Sequence, residues 1–157
     1  MEIIRRGGEL PFDLAGAVLY YTGPTPAPPG RVIGSCGPTT SARMDDFTPL
    51  LYRHGLGATI GKGPRSPEVL AAIREHDSVY FHAYGGCGAL YAERVIAARP
   101  IAFADLGPEA ILELEIRDFP VIVAVDALGR SIFSDTRRPA YTPGGPDRCD
   151  GGSDPGE

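Results

Sequence analysis

The sequence predicts one α/β domain with a mixed sheet. Three observations carry that reading. Apolar, β-branched or aromatic runs alternate with helix-like segments through the middle of the chain. Strand-like runs cluster at both ends. Turns containing glycine or proline separate most of these segments. At 157 residues the chain fits one domain of ordinary size with a substantial core. Residues 1–134 are expected to fold. Residues 135–157, where Gly, Pro and Asp dominate and apolar side chains nearly vanish, are expected to be a disordered tail.

The elements follow in order. Ala17 to Tyr21 is an apolar, aromatic run ended by Thr22-Gly23-Pro24, so it reads as a buried strand. Residues 24–30 are rich in proline and form a loop, and Val32-Ile33 reads as a short strand. A helix is predicted from Thr40 to Gly55, with Thr39, Thr40 and Ser41 as capping hydroxyls and Asp45 and Asp46 in its early turns, where acids suit the macrodipole. Ala58-Thr59-Ile60 is a strand. Ser66-Pro67-Glu68 opens a second helix with apolar positions Val69, Leu70 and Ile73. Ser78 to Tyr84 reads as a strand, Gly85-Gly86 as a tight turn and Ala89 to Ala98 as a third helix. Ile101 to Phe103 is a strand, and Leu112 to Ile116 alternates as a half-exposed strand does. Pro120 to Asp126 reads as a buried strand, and Asp126 to Arg130 as a hairpin turn into Ser131-Ile132-Phe133.

Composition excludes several function classes. Apolar residues make up 43% and charged residues 22%, as in soluble globular proteins. The net charge is −5 with no basic run, which argues against nonspecific nucleic-acid binding. No apolar stretch reaches the ~20 residues of a membrane helix. Met1 to Gly8 is charged and lacks an apolar core, so no signal peptide is expected and the expected location is the cytoplasm. Cys36, Cys87 and Cys149 are odd in number and widely spaced, with no Cys-x-x-Cys pair, a poor metal or iron–sulfur framework. His54 and His76 fall at predicted helix C-termini, where a cation suits the dipole, and packing is the default for His82 within a strand.

Chemistry concentrates in Gly37-Pro38-Thr39-Thr40-Ser41-Ala42-Arg43-Met44-Asp45-Asp46. A strand end followed by a helix start exposes backbone N–H groups that favour an anion. Thr39, Thr40 and Ser41 add hydroxyl donors, and Arg43 offers a bidentate fork to a carboxylate. The alternative is a capped helix whose Arg43 pairs with Asp46 or another acid. The second focus is Lys62, the single lysine in a chain with 15 Lys and Arg residues, held between Gly61 and Gly63. A compact ammonium beside open backbone can bind a carboxylate or exchange a proton. The alternative is a solvent-exposed turn lysine.

The motif Gly37-Pro38-Thr39-Thr40-Ser41-x-Arg43-Met44-Asp45 resembles the signature of the β subunit, or C-terminal domain, of class I iron–sulfur hydro-lyases, the class I fumarases and L-tartrate dehydratases. Tyr20-Tyr21-x-Gly23-Pro24, Ile60-Gly61-Lys62-Gly63, Gly85-Gly86, Leu106-Gly107-x-Glu109-Ala110 and Phe119-Pro120 with Val123 and Asp126 match in the same order, so the resemblance covers residues 9 to 133. It implies a swivelling β/β/α domain. It also implies an α-type partner subunit whose three cysteines hold a four-iron–four-sulfur cluster, with no cofactor bound by this chain. Carried over by motif, Thr39 is the catalytic base for the C–H proton and Lys62 a catalytic group beside the substrate. Arg43 clamps a carboxylate of a small dicarboxylate, with Thr40, Ser41 and Gly61 as further substrate-binding positions. A threonine alkoxide needs nearby cations, which Arg43 and Lys62 supply.

The match departs from the family in one respect. Family β domains begin earlier, with an Arg-Asp-x-x-His segment that contributes another arginine. Arg5 and Arg6 do not match it, and Cys36 and Cys87 match no cluster ligand. The family pattern therefore implies an N-terminally shortened domain, whose missing arginine comes from a partner or is abandoned. The expected function is the β-type component of a hydro-lyase acting on fumarate, tartrate or a related hydroxy-dicarboxylate. Two other readings stand beside it: a stand-alone, cluster-free enzyme acting on another small carboxylic acid, and a non-catalytic anion-binding module.

Overall fold

The computed structural model describes residue 8 and residues 10–134. The predicted tail, with Cys149, lies outside the described residues, as do Arg5 and Arg6. Four strands form the main sheet: β1 (Val18–Tyr20), β2 (Ala58–Gly61), β3 (Val79–His82) and β6 (Ile122–Val125), in the order β1-β2-β3-β6. β1, β2 and β3 run parallel, with Tyr20 beside Ile60 and Gly61 beside His82. β6 returns antiparallel to β3. β4 (Val95–Ala102) and β5 (Ile111–Ile116) pair antiparallel as a separate two-stranded sheet, joined through a 3₁₀ segment (Ala104–Glu109). The α/β class with a mixed sheet is therefore observed.

The sheet carries two cores. Alternation along the strands sends successive side chains to opposite faces. On one face Leu19 and Tyr80 pack with Tyr52 of helix α1 (Thr48–Arg53), with Val69, Ala72 and Ile73 of helix α2 (Pro67–Glu75), and with Leu14, Leu56 and Val125. On the other face Tyr20, Ile60 and Phe81 meet Tyr91 of helix α3 (Gly88–Glu93), Val95 of β4, and Leu112 and Leu114 of β5. Helices α1 and α2 cover one face, and α3 with the hairpin sheet covers the other, a three-layer arrangement. α2 is fixed at its start by Ser66, whose hydroxyl accepts from the Val69 N–H at 3.4 Å, and by Pro67 in the first turn. His54 and His76 are the C-caps of α1 and α2, as expected from their positions.

Several expectations need correction. The predicted helix from Thr40 to Gly55 is two pieces, a 3₁₀ turn (Ser41–Met44) and α1. Pro49, near the start of α1, lacks the N–H that a continuous helix needs and crowds the carbonyl of the preceding turn. Gly55, at φ +96, ends α1 as predicted. The Val32-Ile33 segment forms no strand, although Ile33 is buried. The predicted third helix stops at Glu93, and residues 95–98 begin β4, where Val95 pairs with Ile116 and Ala98 with Leu114. Long-range pairing of a β-branched run outweighs the helical preference of its alanines. The 101–103 strand is the end of the same element. β1 and β6 are sheet edges, so Val18 and Val123 are exposed rather than buried. The turn at Asp126 forms: its carboxylate accepts from the Leu128 and Arg130 N–H groups, each at 3.0 Å. The described residues then end in a 3₁₀ turn (Ile132–Ser134). Among the described residues no helix is long and apolar enough to cross a membrane.

Ile73 is fully buried against the sheet. Replacing it with alanine is expected to lower stability by about 2–5 kcal/mol in urea unfolding, through lost transfer energy and the cavity left behind. A cost well under that range would show that this layer repacks freely.

Candidate active site

The first site segment hangs on the end of β1. The Tyr21 carbonyl accepts from the Thr39 N–H at 2.8 Å and from Thr39 Oγ1 at 3.1 Å. The chain then runs beside the end of β2. Lys62 N–H donates to the Thr39 carbonyl at 3.2 Å and Ser41 N–H to the Lys62 carbonyl at 3.0 Å, giving a parallel bridge between Thr40 and Lys62. Two of the N–H groups expected to be free for an anion, those of Thr39 and Ser41, are thus occupied by the fold.

Side chains of the segment divide between interior and surface. Ser41 is fully buried, and its Oγ lies 3.0 Å from the Tyr80 hydroxyl. It reaches that position because residue 61 is glycine: a Cβ there would overlap Ser41 Oγ and approach Tyr21 Cδ2 at 3.1 Å. Thr40 is exposed at the N-cap of the 3₁₀ turn, and its hydroxyl makes no capping bond. Arg43 is exposed and donates from Nη2 to Thr39 Oγ1 at 3.1 Å. It does not pair with Asp46. The structure therefore brings Thr39 and Arg43 into contact, with the guanidinium aimed at the hydroxyl oxygen.

Lys62 is half-buried and lies along the Gly85-Gly86 turn. A Cβ on Gly85 would stand 3.4 Å from Lys62 Cδ and 3.7 Å from Nζ, so glycine keeps that track open. Tyr91 fixes the turn: its hydroxyl accepts from the Tyr84 N–H at 2.7 Å and donates to the Pro120 carbonyl at 2.9 Å. After Lys62 the chain turns at Gly63, where φ is +84. The Gly63 N–H donates to His82 Nδ1 at 3.3 Å, and the Gly63 carbonyl accepts from the Tyr80 hydroxyl at 2.8 Å. Among the described residues neither Arg43 nor Lys62 forms an ion pair with an acid.

Sequence reasoning missed Arg65. Its side chain has no exposed area, and its Nε donates to Asp45 Oδ1 at 2.7 Å. The other fork nitrogens donate to Thr59 Oγ1 at 3.2 Å and Thr48 Oγ1 at 2.8 Å. The second oxygen of Asp45 accepts from the Ser66 N–H at 2.7 Å. The guanidinium lies 5.0 Å from the Tyr80 ring centre and 5.5 Å from that of Tyr21. Burial pushes the Tyr80 hydroxyl pKa up, and that of Tyr52 up to about 12, so both stay neutral beside the cation. The only sequence signal was the acid-rich Asp45-Asp46 pair. Its partner, twenty positions on, becomes visible only in three dimensions.

The arrangement presents a hydroxyl held by a guanidinium, with an ammonium on the adjoining loop. Such a set can bind a carboxylate and stabilise an oxyanion. Among the described residues no three or more His, Cys, Asp or Glu side chains cluster as a metal site needs; Cys36 is buried and Cys87 half-buried. A cavity of about 690 Å³ lies elsewhere, between β1 and β5, with Tyr20, Leu112, Leu114 and Phe119 in its walls, and contains neither Thr39 nor Lys62.

Residues 1–136 match the family described as Fumarase C-terminus. The anaerobic class I fumarate hydratase of Escherichia coli is 40% identical over 135 residues, covering 84% of this chain and 24% of that protein. Fumarate hydratase 2 of Leishmania major is 37% identical over 137 residues, covering 86% of this chain and 24% of the relative. The putative L(+)-tartrate dehydratase subunit β of Methanocaldococcus jannaschii is 38% identical over 147 residues, covering 90% of this chain and 75% of that one. The chain thus spans about a quarter of the fumarate hydratases it matches and three quarters of the β subunit.

Two outcomes test the geometry. Gly61→Ala is expected to lower thermal stability, with overpacking against Ser41 costing about 1–3 kcal/mol. An unchanged melting temperature would contradict the tight fit of Ser41 under residue 61. His82 gives a pH signature. Burial lowers its pKa below the ordinary value of about 6.5, so the unfolded chain takes up the proton first. Its contribution to folding is therefore intact above that value and is lost as pH falls through it towards the lowered pKa. His82→Asn keeps an acceptor for the Gly63 N–H and is expected to flatten that loss in urea midpoints across mildly acidic pH. An identical slope would contradict the assignment.

Proposed function

The chain belongs to the fumarase C-terminal family, and from that premise we propose that it is the β-type component of an iron–sulfur-dependent hydro-lyase. Its reaction is the addition or removal of water at a hydroxy-dicarboxylate of the fumarate or tartrate kind. The observation that carries this reading is the Arg43–Thr39 contact, a guanidinium N–H 3.1 Å from the hydroxyl oxygen at the family's base position. The family match and the β-subunit relative support assigning the cluster to an α-type partner.

Dehydration removes a proton from the carbon next to a carboxylate and hydroxide from the carbon beyond it. Thr39 takes the proton. Its oxygen is a weak base unless the developing alkoxide is stabilised, and the Arg43 N–H already points at that oxygen. Thr39 first releases its hydroxyl proton to solvent, giving up its bond to the Tyr21 carbonyl and keeping the one from Arg43; the alkoxide then takes the C–H proton and is a hydroxyl again. Lys62 meets a substrate carboxylate from the neighbouring loop, its ammonium steadied along Gly85. Thr40, exposed at the same edge, supplies a further donor, and Gly61 keeps Ser41 and the Lys62 backbone in place.

Co-expression with an α-type subunit tests the reading. The expected result is a stable, oxygen-sensitive complex that hydrates fumarate or dehydrates tartrate. In that complex Thr39→Ala is expected to lower kcat by about 10²–10⁴-fold. Failure to form a complex with such a subunit overturns the proposal. Turnover by the purified chain in a chelator indicates a cluster-free enzyme instead, and carboxylate binding without turnover indicates an anion-binding module.

A further inference from the structure

We infer that Arg65, acting through Asp45, is the positioning residue that sets the Lys62 loop against the Thr39–Arg43 pair; the inference rests on the hydro-lyase reading of the site. The site is built from two segments about twenty residues apart. Only two backbone bonds join them directly, Lys62 to Thr39 and Ser41 to Lys62. Arg65 closes the join from behind. It leaves the second segment three residues after Lys62 and grips Asp45, two residues after Arg43, while the same carboxylate takes the Ser66 N–H. Its remaining N–H groups reach Thr59 on β2 and Thr48 on α1. Tyr80, whose ring faces the guanidinium, bonds to Ser41 in one segment and Gly63 in the other.

A purely stabilising role would not require this group. Well-packed apolar residues often serve as well as a buried ion pair, because desolvation offsets the attraction. What an apolar side chain cannot supply is direction. The planar fork fixes Asp45, Thr48 and Thr59 at set angles, and a lysine ammonium has no such fork. Loss of the fork lets the 61–66 loop drift relative to Thr39, and displacements of an ångström at a reacting centre cost rate far more than they cost folding.

The test uses the complex with the α-type subunit and, in parallel, the chain alone. Arg65→Lys and the milder Asp45→Asn are compared with Ile73→Val, a core change on α2 away from the clasp. In the complex, Arg65→Lys is expected to lower kcat by about tenfold or more. Ile73→Val is expected to keep wild-type turnover despite its lower melting temperature. In the chain alone, Arg65→Lys and Asp45→Asn are expected to speed amide exchange at Ser41 and Lys62 more than at Phe81 in β3, whereas Ile73→Val changes Ser41 and Lys62 no more than Phe81. Wild-type kcat in both clasp variants overturns the inference. So does exchange at Ser41 and Lys62 that stays at the wild-type rate. An inactive wild-type complex instead counts against the hydro-lyase reading, and the exchange arm then decides the clasp by itself. If Arg65→Lys does not fold, Asp45→Asn carries both arms.

Discussion

The structure depends on one buried ion pair, Arg65 with Asp45. Neither charge is at home in the interior: the Arg65 side chain is wholly enclosed and that of Asp45 is 11% exposed. Leaving either one there alone would cost about 3–5 kcal/mol. The pair is tolerated because the interior completes it. Thr48, Thr59 and Asp45 accept from the fork, Ser66 donates to the carboxylate, and two tyrosine rings lie close to the cation. Each contact comes from a different part of the fold, so the pair draws the residue after β1, strands β2 and β3, helix α1 and the start of α2 to one point. Asp45 must turn inward to reach it, and Pro49 follows soon after. The helix expected across this stretch is therefore broken there.

The same pair shapes the electrostatics of the site. An acid two residues from Arg43 would be an obvious competitor for its guanidinium. Arg65 occupies that acid from the inside, leaving Arg43 directed at Thr39 and, among the described residues, without a carboxylate partner. Lys62 has none among those residues either. The result is a short edge of fixed backbone carrying two cations and a hydroxyl, suited to a small dianion. Glycine is needed at two places for this. At residue 61 it admits the Ser41 side chain, and at residue 85 it leaves room for the Lys62 stem.

Much of this was legible in the sequence, and the failures have physical causes. The strand at 58–61, the helix opened by Ser66-Pro67 and the Asp126 turn rest on local signals and appear where expected. Thr39, Arg43 and Lys62 were singled out by density and rarity of polar groups, and the fold brings their segments together. Thr40 and Ser41 looked alike in sequence but are separated by burial, which follows from Gly61 and Tyr80 across the fold. Residues 95–98 were misread because their pairing with β5 is long-range. Arg65 was overlooked because nothing local marks an arginine as a core residue. Its partners come from four segments, and burial of a cation is against the usual rule.

The central claim is that Thr39, Arg43 and Lys62 form one half of an active site that a partner completes. The crystal structure of the α-type complex with a bound hydroxy-dicarboxylate tests it most directly. The account predicts substrate carboxylate oxygens on the Arg43 guanidinium and the Lys62 ammonium, with Thr39 Oγ1 within hydrogen-bond reach of the carbon that loses its proton. A ligand bound away from these three side chains, or a complex in which they face solvent, would contradict it.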